Sequence, residues 1–354
     1  MKRTLSIVGA GRVGRTLGKH LRERDWRIGA VVTRSPATAR AAVRAIGAGT
    51  PLAWNGRVLI ATDRAHKGGS VGIHPHENNR GLKGASAPVA GGRLQMTFRG
   101  SELQLRHRVA SKAGASAPED SVFSRLFAAD VILLTTPDDA VADVAKSLAS
   151  LVGAKCKGKI ILHTSATLDR TVLAPLARCG AVTGSLHPMQ AFGGKVIPNL
   201  NGVIFAVEGE PKARRMAQSI GESLGGITVA IATRDKPIYH AAAVLAAGSA
   251  YPTIEAGVHL LMRIGFSRAR AMQTLVPLLR QIFDNIERIG PRAAWTGPLS
   301  RGDYAIVSKH ARALKKYPRE FRQSYAALSL LAGRLLAKNP AAALKKIKRA
   351  LADG

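Results

Sequence analysis

The chain has 354 residues, 46% of them hydrophobic and 21% charged, a composition that suits a soluble globular protein long enough for two cores. No apolar run reaches membrane-spanning length, so no membrane association is expected. Two cysteines, Cys156 and Cys179, are too few for a disulfide framework and suit a reducing cytoplasm. The formal net charge of +31 raises nucleic acid as a partner. The charge is dense from Arg57 to Lys112, and again where Lys345–Arg349 (K-K-I-K-R) follows Lys315, Lys316, Arg319 and Arg322. No nucleic-acid fold signature accompanies it, which favours a solvated basic surface.

The first element is a strand, Leu5–Val8, and this apolar run is too short, and leads too directly into a glycine motif, to be a signal peptide. It meets Gly9, Gly11 and Gly14 in G-x-G-x-x-G spacing, and a helix is expected from about Arg12 to Arg24. Strand, tight turn and helix start in that order aim backbone N–H groups and the positive helix end at a pyrophosphate. Gly9, Ala10, Gly11, Arg12, Val13 and Gly14 are therefore candidate cofactor-binding residues. A second strand, Ile28–Thr33, ends in Thr33, Arg34 and Ser35, with no acid to hold ribose hydroxyls. Arg34 suits a 2′-phosphate, so NADP is favoured over NAD. A helix continues from there through Ile46, started by Pro36.

From residue 53 to 121 the alternation of strand and helix fails. Gly-, Ser- and Pro-rich stretches there read as an insertion. Leu94, Met96, Phe98, Leu103 and Leu105 alternate with polar residues on either side of Gly100-Ser101, a β-hairpin signal. His66, His74 and His76 lie in the insertion without cysteines, an incomplete set for a metal, and no metal is expected. Further strands are expected at Val131–Thr135, Ile160–His163, Val182–Leu186, Val203–Val207 and Ile227–Ala230. Alternating β and α units argue for a parallel, doubly wound sheet, a Rossmann-type α/β domain over residues 1–235. From Lys236 the strands stop. Tyr239–Ile264, Arg268–Arg288, Tyr304–Leu314, Glu320–Ala337 and Ala341–Ala352 read as helices, with Gly265 and Gly290 at helix ends, so residues 236–354 form an all-α domain.

Polar groups collect where strands end. Thr135, Thr136 and Pro137 leave the carboxyl edge of the sheet, the place where open α/β folds bind ligands, and are expected against the cofactor. Asp138 or Asp139 is expected to cap the next helix. Ser165 and His187 end the two strands after that and are candidate substrate-binding groups. Ser–His nucleophilic catalysis is disfavoured because no G-x-S-x-G elbow is present. Lys236 and His240, four residues apart, share a helix face and are the candidate catalytic proton donors. The loop Trp295–Asp303 (W-T-G-P-L-S-R-G-D) offers Thr296 and Arg301 to a small anion, with Asp303 as a helix cap.

G-A-G-R-V-G, T-T-P-D-D-A, H-T-S-A, H-P-M-Q-A-F, D-K-P-I-Y-H-A-A-A and T-G-P-L-S-R-G-D occur in the order seen in Rossmann-like proteins with an uncharacterised C-terminal helical domain, and the chain resembles that family. The family is similar to the 6-phosphogluconate dehydrogenase-like superfamily, which includes ketopantoate reductase, pyrroline-5-carboxylate reductase and the β-hydroxyacid dehydrogenases. The resemblance covers nearly the whole chain outside residues 53–121. In β-hydroxyacid dehydrogenases a catalytic Lys is followed four residues later by Asn. The resemblance places Lys236 there, with His240 in place of the Asn, and likens Ser165 to the serine of their substrate loop. It also implies a homodimer through the helical domain.

The expected function is an NADP-dependent oxidoreductase that passes hydride to a C=O or C=N of a small carboxylate substrate. The alternative is a nucleotide-sensing or nucleic-acid-associated binding protein that uses the basic surface. A third reading, a purely structural fold with a degenerate site, is opposed by the intact glycines.

Overall fold

The computed structural model describes residues 3–54, 59–61, 124–194 and 196–354. The expected hairpin around Gly100, and His66, His74 and His76, lie outside the described residues. The chain divides into two compact units, Met1–His240 and Ala241–Gly354.

In the first unit nine described strands form one sheet: β1 (Thr4–Val8), β2 (Arg27–Thr33), β3 (Thr50–Trp54), β4 (Leu59–Ala61), β5 (Val131–Leu134), β6 (Ile160–His163), β7 (Val182–Pro188), β8 (Ile204–Gly209) and β9 (Ile227–Ala230). Their order is β4-β3-β2-β1-β5-β6-β7-β8-β9. β1 pairs in parallel with both β2 and β5, so the chain runs outward to one side, returns, and runs outward to the other. The crevice at the carboxyl ends of β1 and β5 is the switch point of the sheet.

The strands are short and apolar because both faces are covered. Leu5 and Ile7 of β1, with Val131 and Leu133 of β5, enter one core with Leu17 and Leu21 of the helix α1 (Arg12–Arg22) and Ala217 of the helix Pro211–Ser223. Val8, Ile132 and Leu134 enter the other with Val141 and Leu148 of the helix Asp138–Val152. Alternate residues of one strand thus feed opposite cores.

The sheet is not wholly parallel as expected. β3 pairs antiparallel with β4, and β7 with β8. Only residues 55–58 separate β3 from β4, too few for a crossover. Among the described residues between β7 and β8 there is no helix, and the antiparallel pairing makes the return a reversal rather than a crossover. β3 and β4 escaped the sequence reading, which placed the insertion from residue 53.

The second unit is helical. The expected helix Tyr239–Ile264 is interrupted by a π turn at Val244–Gly248, where Ser249 N–H donates to Val244 O five residues back, before Ala250–Arg263 resumes. The long helix Arg268–Ala293 breaks at Gly290 (φ 77°), and Gly265 (φ 97°) comes just after the preceding helix, as their positions in the sequence imply. Tyr304–Ala313, Arg319–Leu335 and Pro340–Asp353 complete the unit. Among the described residues no helix is long and apolar enough to cross a membrane.

Leu133 is fully buried at the centre of the sheet. Leu133→Ala is expected to lower unfolding free energy by about 2–5 kcal/mol, read from the midpoint of a urea transition.

Candidate active site

The glycine turn is built by close approach. Gly9 has φ 88°, and a Cβ on it would overlap the Thr136 backbone, while one on Gly14 would overlap the Thr135 hydroxyl. Gly9 N–H donates to Val32 O at 2.8 Å, and Thr135 Oγ1 donates to Gly9 O at 2.6 Å. Thr135 is thereby a clamp between the ends of β1 and β5. A Cβ on Gly11, by contrast, would meet nothing nearer than 4.0 Å. Gly11 stands at the N-cap of α1, makes no side-chain cap, and no acid occupies the first turn. The first N–H groups of α1 therefore have no side-chain cap at a positive helix end, the donor set a pyrophosphate fits. Ala10 and Val13 pack into or against the core, and Arg12 Nη1 donates to Phe192 O at 2.9 Å.

After β2, Ser35 caps the helix Pro36–Ile46 by accepting from Thr38 N–H at 3.3 Å, and Thr33 Oγ1 lies 2.7 Å from Thr38 Oγ1. Arg34 is exposed between them, and no carboxylate replaces the acid an NAD site uses.

After β5, Thr136 Oγ1 is buried without a hydrogen-bond partner. Pro137 stands at the N-cap position, so Asp138 begins the helix rather than capping it. Its carboxylate accepts from Ser165 Oγ at 2.6 Å and Thr167 Oγ1 at 3.2 Å. Ser165 Oγ also accepts from the N–H groups of Thr167 and Leu168, so its hydroxyl holds the loop after β6 together.

Lys236 is 3% exposed and reaches inward. Its Nζ donates to Ser185 Oγ at 2.9 Å and to Ser165 O at 3.4 Å. Ser185 Oγ donates onward to Glu208 Oε2 at 3.3 Å, and Glu208 also accepts from Arg170 N–H and Thr233 Oγ1. Ser185 and Glu208 are direct cross-strand partners on β7 and β8, and His163 faces Ser185 across β6 and β7. Burial pulls the Lys236 amine below its usual range, and Glu208, Asp169 and Asp138 oppose that pull.

Around this ammonium the rings are neutral. His163 is fully buried; its Nε2–H donates to Asp169 O and its Nδ1 accepts from Ser165 N–H, which fixes the tautomer. Burial and then the Lys236 charge bring it down to about 4. His187 Nδ1 lies 3.0 Å from Tyr239 Oη, with the rings edge-on at 5.6 Å. Burial, then Lys236 and His240, bring His187 down to about 4, and burial pushes Tyr239 up to about 12. His240 Nδ1 is buried with no hydrogen-bond partner.

The first unit thus brings together Ser165, His187, Lys236 and His240, and adds Asp138, Ser185, Glu208 and Tyr239, which sequence reasoning did not assign to the site. A glutamate inside the apolar strand Ile204–Gly209 was the available signal for Glu208. Thr296 and Arg301 belong to the second unit. Thr296 is exposed, and Arg301 Nε lies 3.5 Å from Asp303 Oδ2. Asp303 precedes its helix without a side-chain cap, its carboxylate being turned to Arg301.

Residues 203–332 match the model of a family described as a domain of unknown function (DUF2520), and residues 103–188 match a Rossmann-like domain. No curated protein matches the chain. Among solved structures, the chain is similar to a candidate NADP oxidoreductase from Bacteroides fragilis (18% identity, TM-score 0.59, 92% of this chain and 96% of that one). It is similar to a reductive aminase from Aspergillus terreus, solved with NADPH and ethyl levulinate (12%, 0.57, 98% and 99%). It is also similar to a pyrroline-5-carboxylate reductase from Coxiella burnetii (11%, 0.50, 99% and 99%). At such identities the likeness is one of fold.

Folded His163 and His187 resist protonation down to about 4, whereas in the unfolded chain they protonate near the usual 6.5. Their contribution to stability is complete above about 6.5 and is lost as pH falls from there toward about 4. Urea midpoints measured across that window are expected to fall, and His163→Gln is expected to flatten the fall.

Proposed function

Taking the chain as a Rossmann-fold protein that carries a domain of this uncharacterised family, we propose that it is an NADP-dependent oxidoreductase that reduces a C=O or C=N bond of a small carboxylate substrate. The observation that carries this reading is the α1 N-terminus, which has no side-chain cap and stands at the switch point behind a glycine turn that a Cβ would block. The Gly9–Gly14 turn would hold the pyrophosphate, and Thr33, Arg34 and Ser35 the 2′-phosphate. Thr135, Thr136 and Pro137 would face the remainder of the cofactor. The similar structures named for NADP or solved with NADPH support the same choice. When bound, the cofactor supplies the hydride.

The proton must come from the protein. Lys236 has a depressed pKa and a third N–H beyond its two hydrogen bonds, so it can deliver a proton to the nitrogen or oxygen that becomes basic. His240, with an unpartnered Nδ1, is the second candidate donor. Neutral His187 and Tyr239 orient the substrate by hydrogen bonds, and Ser165 keeps the loop in place through Asp138.

A homodimer through the helical unit completes the reading. Leu278, Ile282, Ile286 and Ile289 recur at helical spacing on Arg268–Ala293 and are all exposed, an apolar stripe that a second copy would cover. The two cysteines are free, which suits the cytoplasm.

In fluorescence titrations, NADPH is expected to bind more tightly than NADH. Arg34→Ala should weaken NADPH about tenfold, the scale of one charge-assisted contact, and leave NADH nearly unchanged. Binding of neither nucleotide would sink the proposal. Once a substrate is found by screening keto acids and imines, Lys236→Met is expected to lower kcat by about 100-fold or more with the NADPH affinity retained. An unchanged kcat would remove Lys236 from the proton path.

A further inference from the structure

The second unit has a cleft of its own, about 880 Å³, walled by residues from Ile289 to Tyr304 and from Leu336 to Ile347. That volume lies within the range of small-molecule sites. Its floor is apolar. Buried Ala337, Ala343 and Ile347 pack with half-buried Trp295, Leu299 and Tyr304. Its lining includes four cations, Arg292, Arg301, Lys338 and Lys346, and no carboxylate among the described residues.

Of these four, only Arg301 has a counter-charge among the described residues, Asp303. The Arg292 guanidinium donates to Leu336 O and Ala337 O, carbonyls that fix the fork without neutralising it. Lys346 stands 5.7 Å over the Tyr304 ring, and Lys338 makes no ion pair among the described residues. Three cations with no counter-charge among the described residues repel each other around one space, and a multivalent anion removes that repulsion. An apolar floor with two aromatic side chains adds a surface for a flat group.

We propose that this cleft binds a multiply charged organic anion of the nucleotide class, with its phosphates on Arg292, Lys338 and Lys346 and its ring against Trp295 and Tyr304. The cleft shares no lining residue with the glycine turn, and the proposal does not rest on the oxidoreductase reading.

Trp295 is the reporter. Trp26→Phe/Trp54→Phe leaves it as the single tryptophan of the full chain. ADP is expected to quench its emission saturably, and inorganic pyrophosphate, lacking a ring, to bind more weakly. Adding Lys338→Glu and Lys346→Glu should weaken ADP by about tenfold or more, the scale of losing charge-assisted contacts. Quenching that is absent at millimolar ADP overturns the proposal. So does quenching that persists unchanged in the charge-reversed chain, because ADP would then not be held by Lys338 and Lys346. Should the charge-reversed chain lose its native circular dichroism, calorimetry of ADP on the otherwise native chain against Lys338→Gln/Lys346→Gln decides. One fewer site in the Gln variant supports the proposal, and an unchanged isotherm overturns it.

Discussion

The Lys236 ammonium sits inside the protein, and a buried cation is tolerated only where its charge and its donors are answered. Ser185 and the Ser165 carbonyl answer the donors, and Glu208 answers the charge through Ser185. Glu208 is itself 4% exposed and would be as costly alone. The two charges and the serine between them therefore form one unit. It ties β7, β8, the loop after β6 and the helix beginning at Lys236 to a single point. Removing either charge leaves the other buried and unpaired, which costs far more than the pair contributes.

The antiparallel join of β7 and β8 makes this arrangement geometrically available. It sets Ser185 directly opposite Glu208, while the parallel join of β6 and β7 sets His163 opposite Ser185. Three polar side chains thus cross three adjacent strands in one row, from the last residue of β6 through the middle of β7 to the next-to-last residue of β8. A wholly parallel continuation would have needed a crossover helix between β7 and β8, and the cross-strand match would be lost. At the switch point of the same sheet, Thr135 bonds to Gly9 O and fixes the glycine turn against β5. Both arrangements depend on long-range hydrogen bonds rather than on their own loops.

That difference explains what the sequence could reveal. The glycine turn was legible because its chemistry is local: Gly9, Gly11 and Gly14 lie within six residues, and the strand and helix that give them meaning are contiguous. Ser165, His187, Lys236 and His240 were legible as polar residues at predicted element ends. Their partners were not. Asp138 read as a helix cap because nothing nearby in sequence points to Ser165, 27 residues on. Ser185 and Glu208 required the β7/β8 register, and a strand pairing direction is not written in the strands' composition. β3 and β4 were missed because a loop-like composition begins immediately beyond them and overshadows five apolar-rich residues.

The same geometry sorts the ionisable groups into different states at neutral pH. Burial drives His163 and His187 downward and Tyr239 upward, and all three shifts favour the neutral form. Lys236 is also pushed toward neutrality, but three carboxylates oppose the push. The environment therefore sets one amine, held below its ordinary range by burial, among neutral rings. Environments that drive neighbouring groups apart in this way set the protonation states of adjacent side chains independently. Neutral His187 and Tyr239 still donate and accept hydrogen bonds, yet neither changes charge near pH 7. Neither His163 nor His187 can then be the source of a pH dependence near neutrality, although sequence alone makes histidine the natural suspect.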